Sequence, residues 1–266
     1  AIDSGDEQYL MDVFTRARDA RIHFGKLLEN KSLQDPMTEK TINYHISPGG
    51  HARGVVRVPG DKSMSHRSIM LGSLATGMTE VTGFLEGEDS LATLKAFRDM
   101  GVVIEGPDEG RVVIHGVGLY GLKAPTKPLY MGNSGTSIRL LSGLLAGQSF
   151  DCELTGDVSL SGRPMGRVAK PLALMGAKIE TAEGGTPPLK IKGGQTLLPI
   201  HYEMPIASAQ VKSCVLVEGL YVEGETSVSE PAPTRDHTER MLNGFGYEVD
   251  VDNGIATLSG GGELRA

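Results

Sequence analysis

Apolar and polar positions form one pattern that recurs three times between residues 54 and 266. In each copy, two short alternating runs flank a turn rich in Gly or Asp, which predicts β-hairpins over 101–122, 176–199 and 246–266. Each hairpin follows a stretch with helical spacing that ends at a glycine: 89–101, 162–176 and 234–246.

A second helical stretch and a short strand precede each of these segments. The helical stretches are 65–77, 134–147 and 208–224, and the strands are the runs TEVTGFL, FDCELTG and ETSVSE. Self-similarity at a regular spacing indicates repeated supersecondary units that bury a shared core. We therefore predict an α/β fold: a pseudo-threefold lobe of repeated βαβαββ units over 54–266, with helices inside and sheets outside.

The N-terminal residues follow a different pattern. Residues 1–32 contain one amphipathic helical stretch over 8–32, and residues 33–53 are rich in Pro, Gly and polar residues, which is typical of a linker. The helix fits two interpretations equally well: an element docked on the following domain, or the tail of a separate domain that precedes it.

Composition narrows the class of protein. With 39% hydrophobic residues the chain has enough apolar material for a core. A net charge of −7 and the absence of Trp argue against a nucleic-acid partner. No apolar run is long enough to span a membrane, so no membrane partner is expected. Cys152 and Cys214 are expected to be free thiols, which fits a reducing, cytoplasmic location.

Candidate chemistry lies at the start of the first helix in each repeat, in polar clusters at 59–67, 132–139 and 207–213. Repeat symmetry directs these three helix N-termini to one end of the lobe, where unpaired N–H groups and helix dipoles attract anions. Six cations add to them: Lys62, Arg67, Arg139, Lys212, Arg163 and Arg235. We predict a site for a small polyanion with two anionic groups.

Individual residues also fit simpler interpretations. Taken singly, four hydroxyl residues would serve as ordinary helix N-caps: Ser63, Ser65, Thr136 and Ser208. Arg139 and Lys212 fit solvated or packing positions on their helices equally well. His66 and His237 are candidates for acid–base work, although a lone His beside an Arg is more often structural. No P-loop motif occurs and no GxGxxG motif joins a strand to a helix, which argues against nucleotide hydrolysis and dinucleotide redox chemistry.

Five motifs in fixed order, PGDKSMSHRS, GNSGTSIRLLSGLLAGQ, LSGRPM, SAQVKS and TRDHTERM, resemble the 5-enolpyruvylshikimate-3-phosphate synthase family over residues 54–266. The resemblance implies a transferase that moves the enolpyruvyl group of phosphoenolpyruvate to the 5-hydroxyl of shikimate 3-phosphate and releases phosphate. This is a step of the shikimate pathway to chorismate and aromatic amino acids and the target of glyphosate. It implies no metal or organic cofactor.

The resemblance also implies residue roles. Lys62 would lie between the substrates as the catalytic residue. The residues implied to bind shikimate 3-phosphate are Lys62, Ser63, Arg67, Ser208, Ala209, Gln210 and Arg235. Those implied to bind phosphoenolpyruvate are Lys62, Asn133, Gly135, Arg163 and Gln210. Many members have Ser at the position of Ala209, so one hydroxyl contact to the phosphate is missing here.

The family has two such lobes with the active site between them, and the resemblance covers one. We therefore expect the second lobe to be absent from this chain, the strand over 54–60 to belong to it, and the chain alone to be inactive. The run YLMDVFTRARDARIHFGKLLE resembles the C-terminal end of prephenate dehydrogenases, which implies a fused upstream domain. Two alternatives stay open: a non-catalytic anion-binding module and a UDP-N-acetylglucosamine enolpyruvyl transferase.

Overall fold

Three β-sheets surround a group of helices in the computed structural model, which describes residues 54–55 and 57–266. By its internal contacts the chain divides into two units, Ala1–Val55 and Val56–Ala266, and the elements below belong to the second. The helix predicted over 8–32 and the linker over 33–53 lie outside the described residues.

The elements follow one another in three repeats. The first contains α1 (Lys62–Leu74), β1 (Met78–Val81), α2 (Glu88–Asp99), β2 (Val103–Asp108) and β3 (Arg111–His115). The second contains β4 (Leu129–Tyr130), α3 (Gly135–Ala146), β5 (Cys152–Thr155), α4 (Val158–Ser161), α5 (Gly166–Leu174), β6 (Lys178–Glu180) and β7 (Leu189–Lys192). The third contains β8 (His201–Glu203), α6 (Ala209–Gly219), β9 (Glu225–Ser229), α7 (His237–Gly244), β10 (Asp250–Asp252) and β11 (Ile255–Ser259).

This order confirms the predicted repeat of helix, strand, helix and hairpin. The three hairpins, β2–β3, β6–β7 and β10–β11, are antiparallel. The second and third sheets have equivalent strand orders, β4-β5-β7-β6 and β8-β9-β11-β10, and each has one parallel pair at its edge. Within the second repeat a short extra helix, α4, precedes α5. The helix predicted over 162–176 begins at Gly166, four residues later than expected.

The first sheet has only three strands, in the order β1-β3-β2. Residues 54–55 and 57–60 form no strand in this lobe, and the expectation that the run over 54–60 is a strand of the second lobe stays a prediction. At the equivalent position Arg265 forms a parallel bridge with Thr76, whose N–H donates to the Leu264 carbonyl at 2.8 Å. Residues 264–266 therefore take the place beside β1 that β4 and β8 take in the other sheets.

The core lies between the sheets and three inner helices, α1, α3 and α6, which are buried over most of their length. The sheets show the complementary pattern: on β7, Leu189 and Ile191 are buried while Lys190 and Lys192 are exposed. Alternation of this kind marks a sheet with one face on the core and one in water. The prediction of helices inside and sheets outside is confirmed. No described helix is both long and apolar enough to cross a membrane.

The inner helices α3 and α6 approach closely at Gly143. A Cβ atom at this position would overlap the carbonyl oxygen of Cys214 and lie 3.1 Å from its Sγ. Glycine weakens a helix relative to alanine by roughly 1 kcal/mol, so its use here reflects the space that the facing backbone requires.

We predict that Gly143→Ala lowers the free energy of unfolding by about 3 kcal/mol, because overpacking against backbone cannot relax by a rotamer change. Gly244→Ala on α7 is the matched control, since a Cβ there meets no atom within 4 Å; its stability should stay level or rise by about 0.5 kcal/mol. Denaturant unfolding of both variants measures the difference. Equal stability of the two variants would contradict the packing assigned to Gly143.

Candidate anion-binding site

The start of α1 presents Lys62 and Ser63. The carboxylate of Asp61 caps this helix by accepting the N–H of Met64 at 2.8 Å, so Asp61 rather than a serine is the N-cap. The ammonium of Lys62 forms an ion pair with Asp89 in the first turn of α2, yet the Lys62 side chain stays 53% exposed. Lys62 is therefore available to a ligand at this end of the lobe.

Arg67, one turn further along α1, lies beneath Ser63 and is 5% exposed. Its Nε donates to Thr238 Oγ1 at 2.7 Å, its Nη2 to Ser213 Oγ at 2.8 Å and its Nη1 to the Ser63 carbonyl at 3.0 Å. Burial lowers the pKa of Arg67 to about 10, which leaves it charged at neutral pH. Direct contact between Arg67 and shikimate stays a prediction.

The start of α6 and the loop before α7 form one side of the site. Ser208 caps α6, as its N-cap interpretation predicted, by accepting the N–H of Val211 at 3.4 Å. Exposed Arg235 donates from Nη1 to Ser63 Oγ at 3.2 Å. An open depression of about 750 Å³ is lined by Ala207, Ser208, Ala209, Gln210, Pro233, Thr234 and Arg235. The residues predicted for the 3-phosphate thus share one depression.

The start of α3 forms the other side, where Asn133, Gly135 and Arg163 come together. Asn133 donates to Asp157 at 2.8 Å and accepts from the guanidinium of Arg163. A Cβ atom at Gly135 would lie 2.7 Å from Arg139 Nη1 and 3.1 Å from Arg163 Nη1. Because glycine lacks that atom, two guanidinium groups lie close to this helix start.

Gln210 joins the two sides. Its amide nitrogen donates to Thr136 Oγ1 at 3.0 Å, and its amide oxygen accepts from Arg139 Nη1 at 3.1 Å. Arg139 also donates to the carbonyls of Gly135 at 3.2 Å and Pro164 at 3.4 Å. The sequence did not predict these links, because Thr136 was expected to be a helix cap and Arg139 one cation among several. Ser134 is the cap of α3.

The side of the site around α3 carries closely spaced positive charge. Burial lowers the pKa of Arg139, and the nearby charges of Arg163 and Arg167 lower it further. A bound anion would relieve this repulsion, which is the electrostatic property expected of a polyanion site. Arg167 was not identified from the sequence, where it appears as one more surface charge on α5.

Lys212 does not belong to the cations that face a ligand, and its assignment to that group is wrong. Its side chain is 4% exposed, and its Nζ lies 3.1 Å from Glu230 and 2.6 Å from Glu239. The carboxylates lie 18 and 27 residues further along the chain, so local sequence gave no sign of them.

His66 is structural rather than an acid–base group. It is fully buried, with Nδ1 2.7 Å from Thr93 Oγ1 and 3.3 Å from Ser137 Oγ. Burial lowers the pKa of His66 to about 4, so the ring is neutral at pH 7. His237 begins α7, and its buried Nδ1 has no hydrogen-bond partner within the described part of the chain. A proton-transfer role for His237 stays a prediction.

Both cysteines are free, and Cys214 is fully buried. Burial raises the pKa of the Cys152 thiol to about 12, so it is protonated at neutral pH. Within residues 54–55 and 57–266, His, Cys, Asp and Glu side chains form no cluster of three that could hold a metal ion.

Three βαβαββ-type repeats that direct polar helix starts to one end define a lobe of the enolpyruvyl transferase type. A family model described as EPSP synthase (3-phosphoshikimate 1-carboxyvinyltransferase) matches residues 46–266. The chain belongs to this family, which confirms the resemblance found in its motifs.

Curated and solved relatives agree with this assignment. The chain is 67% identical over 230 residues to the 3-phosphoshikimate 1-carboxyvinyltransferase of Hydrogenovibrio crunogenus, covering 85% of this chain and 52% of the relative. The enzyme of that name from Nitrosococcus oceani is 64% identical over 231 residues, covering 87% and 52%. A structure of EPSP synthase from Acinetobacter baumannii has a TM-score of 0.79 and 66% identity, covering 80% of this chain and 48% of that one. The chain therefore spans about half the length of these relatives.

We predict that His66 makes stability depend on pH. Because its folded pKa of about 4 lies below the ordinary 6.5, the unfolded chain takes up a proton first as the pH falls. The stability from neutral His66 is complete above pH 6.5 and is lost towards pH 4, by about 3 kcal/mol in total. Denaturant unfolding at pH 7 and pH 4 should show this loss in the wild type but not in His66→Gln.

His201→Gln serves as the control, because His201 is exposed. It should keep the pH dependence of the wild type. The same pH dependence in wild type and His66→Gln would mean that His66 does not carry it.

Proposed function

We propose that this chain is a substrate-binding lobe of a 3-phosphoshikimate 1-carboxyvinyltransferase. The observation that carries the proposal is the junction at Gln210, which holds the predicted 3-phosphate side against the predicted phosphoenolpyruvate side. In the reaction the 5-hydroxyl of shikimate 3-phosphate loses its proton as its oxygen bonds to the enol carbon of phosphoenolpyruvate, while the methylene carbon takes up a proton and becomes a methyl group. The tetrahedral intermediate then loses phosphate together with a proton of that methyl group, which restores the double bond.

Each group of residues has a role in this proposal. Arg235 and the start of α6 bind the 3-phosphate, with Gln210 touching both ligands. Asn133, Gly135 and Arg163 bind phosphoenolpyruvate, and close guanidinium groups suit its phosphate and carboxylate. Lys62 neutralises charge on both substrates and on the intermediate. Preorganised cations of this kind stabilise charge that develops in the transition state.

We further propose that turnover needs a second lobe over this site. The proposal is supported by the open form of the depression around Ser208 and Arg235 and by relatives about twice as long as the matched part. Catalysis requires groups fixed on both sides of the reacting atoms. This chain alone should bind shikimate 3-phosphate without converting it.

Two further proposals concern the setting of the enzyme. Free cysteines support a reducing compartment, and we place the reaction in the cytoplasm. The resemblance of residues 1–32 to prephenate dehydrogenases supports a fused upstream dehydrogenase domain.

The binding proposal predicts saturable, phosphate-dependent binding to the 266-residue chain. Calorimetric titration with shikimate 3-phosphate should show it, and shikimate should bind far more weakly. Arg235→Ala should raise the Kd for shikimate 3-phosphate by about 10- to 100-fold, since a charge-assisted hydrogen bond contributes about 1.5–3 kcal/mol. Arg111→Ala, an exposed arginine paired with Glu80, should bind like the wild type. Equal affinity for shikimate and its phosphate would contradict the proposal.

The catalytic role predicts that Lys62→Ala, made in the full-length protein with both lobes, lowers kcat by at least roughly a hundredfold, because charge on the intermediate loses its counter-ion. Its unfolding midpoint should stay within error of the wild type, because Lys62 is half exposed. Lys95→Ala on the outer face of α2 is the control, and both its activity and stability should be unchanged. Near-normal turnover by Lys62→Ala would remove Lys62 from the mechanism.

A further inference from the structure

A buried ion cluster lies directly under the loop that carries Arg235. Lys212 on α6 contacts two carboxylates: Glu230, which directly follows β9, and Glu239 in the first turn of α7. The side chains of all three are at most 11% exposed. One ammonium group therefore holds both ends of the segment 230–239 to α6.

The two contacts differ in kind. Glu230 accepts a hydrogen bond from Lys212 through Oε1 and a second from Thr234 Oγ1 through Oε2, at 2.6 Å. The Glu239 carboxylate is close to Nζ but lacks hydrogen-bond geometry, so we assign it a charge interaction only. Through Thr234, the first contact reaches the residue next to Arg235.

The charges of the cluster balance. Burial would raise the pKa of Glu230, but hydrogen bonds from Thr234 and Lys212 outweigh it and hold the pKa below its usual value. The charge of Glu239 favours the charged form of Arg67, which binds Ser213 and Thr238 beside it. Two cations thus face two carboxylates inside the lobe.

Stability alone does not account for this arrangement. Neighbouring positions on α6, such as Val211 and Val215, are buried and apolar. Apolar residues of similar volume are generally as stabilising as a buried ion cluster, or more so. What an ion cluster adds is a defined geometry, because each charge needs its partner in one position.

We propose that Lys212 is a positioning residue that fixes the segment 230–236 so that Arg235 is directed to the depression at Ser208. The proposal rests on the proposed function, because it takes the phosphate of shikimate 3-phosphate as the ligand of Arg235. A loop fixed before binding loses less conformational entropy when the ligand arrives. Lys212 would then act on phosphate affinity without touching the ligand.

The test compares three variants of the 266-residue chain. Lys212→Met removes the ammonium but leaves two carboxylates unpaired, which can prevent folding. The double variant Lys212→Met, Glu230→Gln removes one charge of each sign and leaves Glu239 as the counter-charge of Arg67, so it avoids that problem. Thr234→Val removes the hydroxyl link between Glu230 and the loop, and Thr234→Ser, which keeps the hydroxyl, controls for the place of Thr234 in the lining of the depression. Lys192→Met, on the outer face of β7, is the control.

Two measurements are made on each folded variant. Calorimetry gives the Kd for shikimate 3-phosphate and for shikimate, and amide hydrogen exchange follows residues 231–236. We expect the Kd for shikimate 3-phosphate to rise about tenfold, while the Kd for shikimate stays unchanged. We expect the rate of amide hydrogen exchange in residues 231–236 to rise about tenfold, while the rate in α3 stays unchanged. In an Arg235→Ala background the same changes should not weaken binding further. Lys192→Met should match the wild type.

The outcomes separate this inference from the proposed function. Wild-type chain that shows no preference for the phosphorylated ligand would overturn the proposed function and the phosphate role of Lys212. Faster amide hydrogen exchange confined to residues 231–236 would still support the proposal that Lys212 fixes this loop. Unchanged exchange, or unchanged phosphate affinity despite faster exchange, would overturn the positioning role. Additive losses with Arg235→Ala would also overturn it, because Lys212 would then act elsewhere.

Discussion

The buried guanidinium of Arg67 is the interaction on which the candidate site depends. It joins the start of α1 to α6 and α7 through the Ser63 carbonyl, Ser213 and Thr238. A buried cation is tolerated only where its donors are satisfied and a counter-charge is near, and Glu239 supplies that charge. The same contacts set the position of Ser63 relative to the helix start at Gln210 and the loop with Arg235.

His66, the residue before Arg67, joins α1 to the other two neighbouring helices, α2 and α3. His66 contacts Thr93 on α2 and Ser137 on α3, and Ser137 donates to Ser134, the cap of α3. Burial lowers the pKa of both His66 and Arg67, but to about 4 and about 10. The histidine is therefore neutral and the arginine charged at pH 7, although both side chains contact Ser and Thr hydroxyls on neighbouring helices.

The repeat creates three equivalent helix starts and then makes each chemically different. Lys62 follows the cap of α1, Gly135 that of α3, and Ala209 with Gln210 that of α6. Lys62, Gly135 and Ala209 occupy the first position after each cap, and Ser63, Thr136 and Gln210 occupy the second, which gives one site with distinct sides. The cations also fall into two groups. Lys62 and Arg235 are exposed at the site, whereas Lys212 and Arg67 are buried and connect the helices beneath it.

The sequence alone determined the repeat, the order of its elements and the family, because hydrophobic period, turn residues and helix-start motifs are local properties of the chain. The family resemblance also named Ser208, Ala209, Gln210 and Arg235, four of the seven residues that line the depression, and it named Asn133, Gly135 and Arg163, which the structure brings together. Only the tertiary structure decided that residues 264–266 complete the first sheet and that Lys212 is buried in an ion cluster. Both depend on partners far apart along the chain, and no local pattern specifies which distant strand edge or carboxylate a residue will meet.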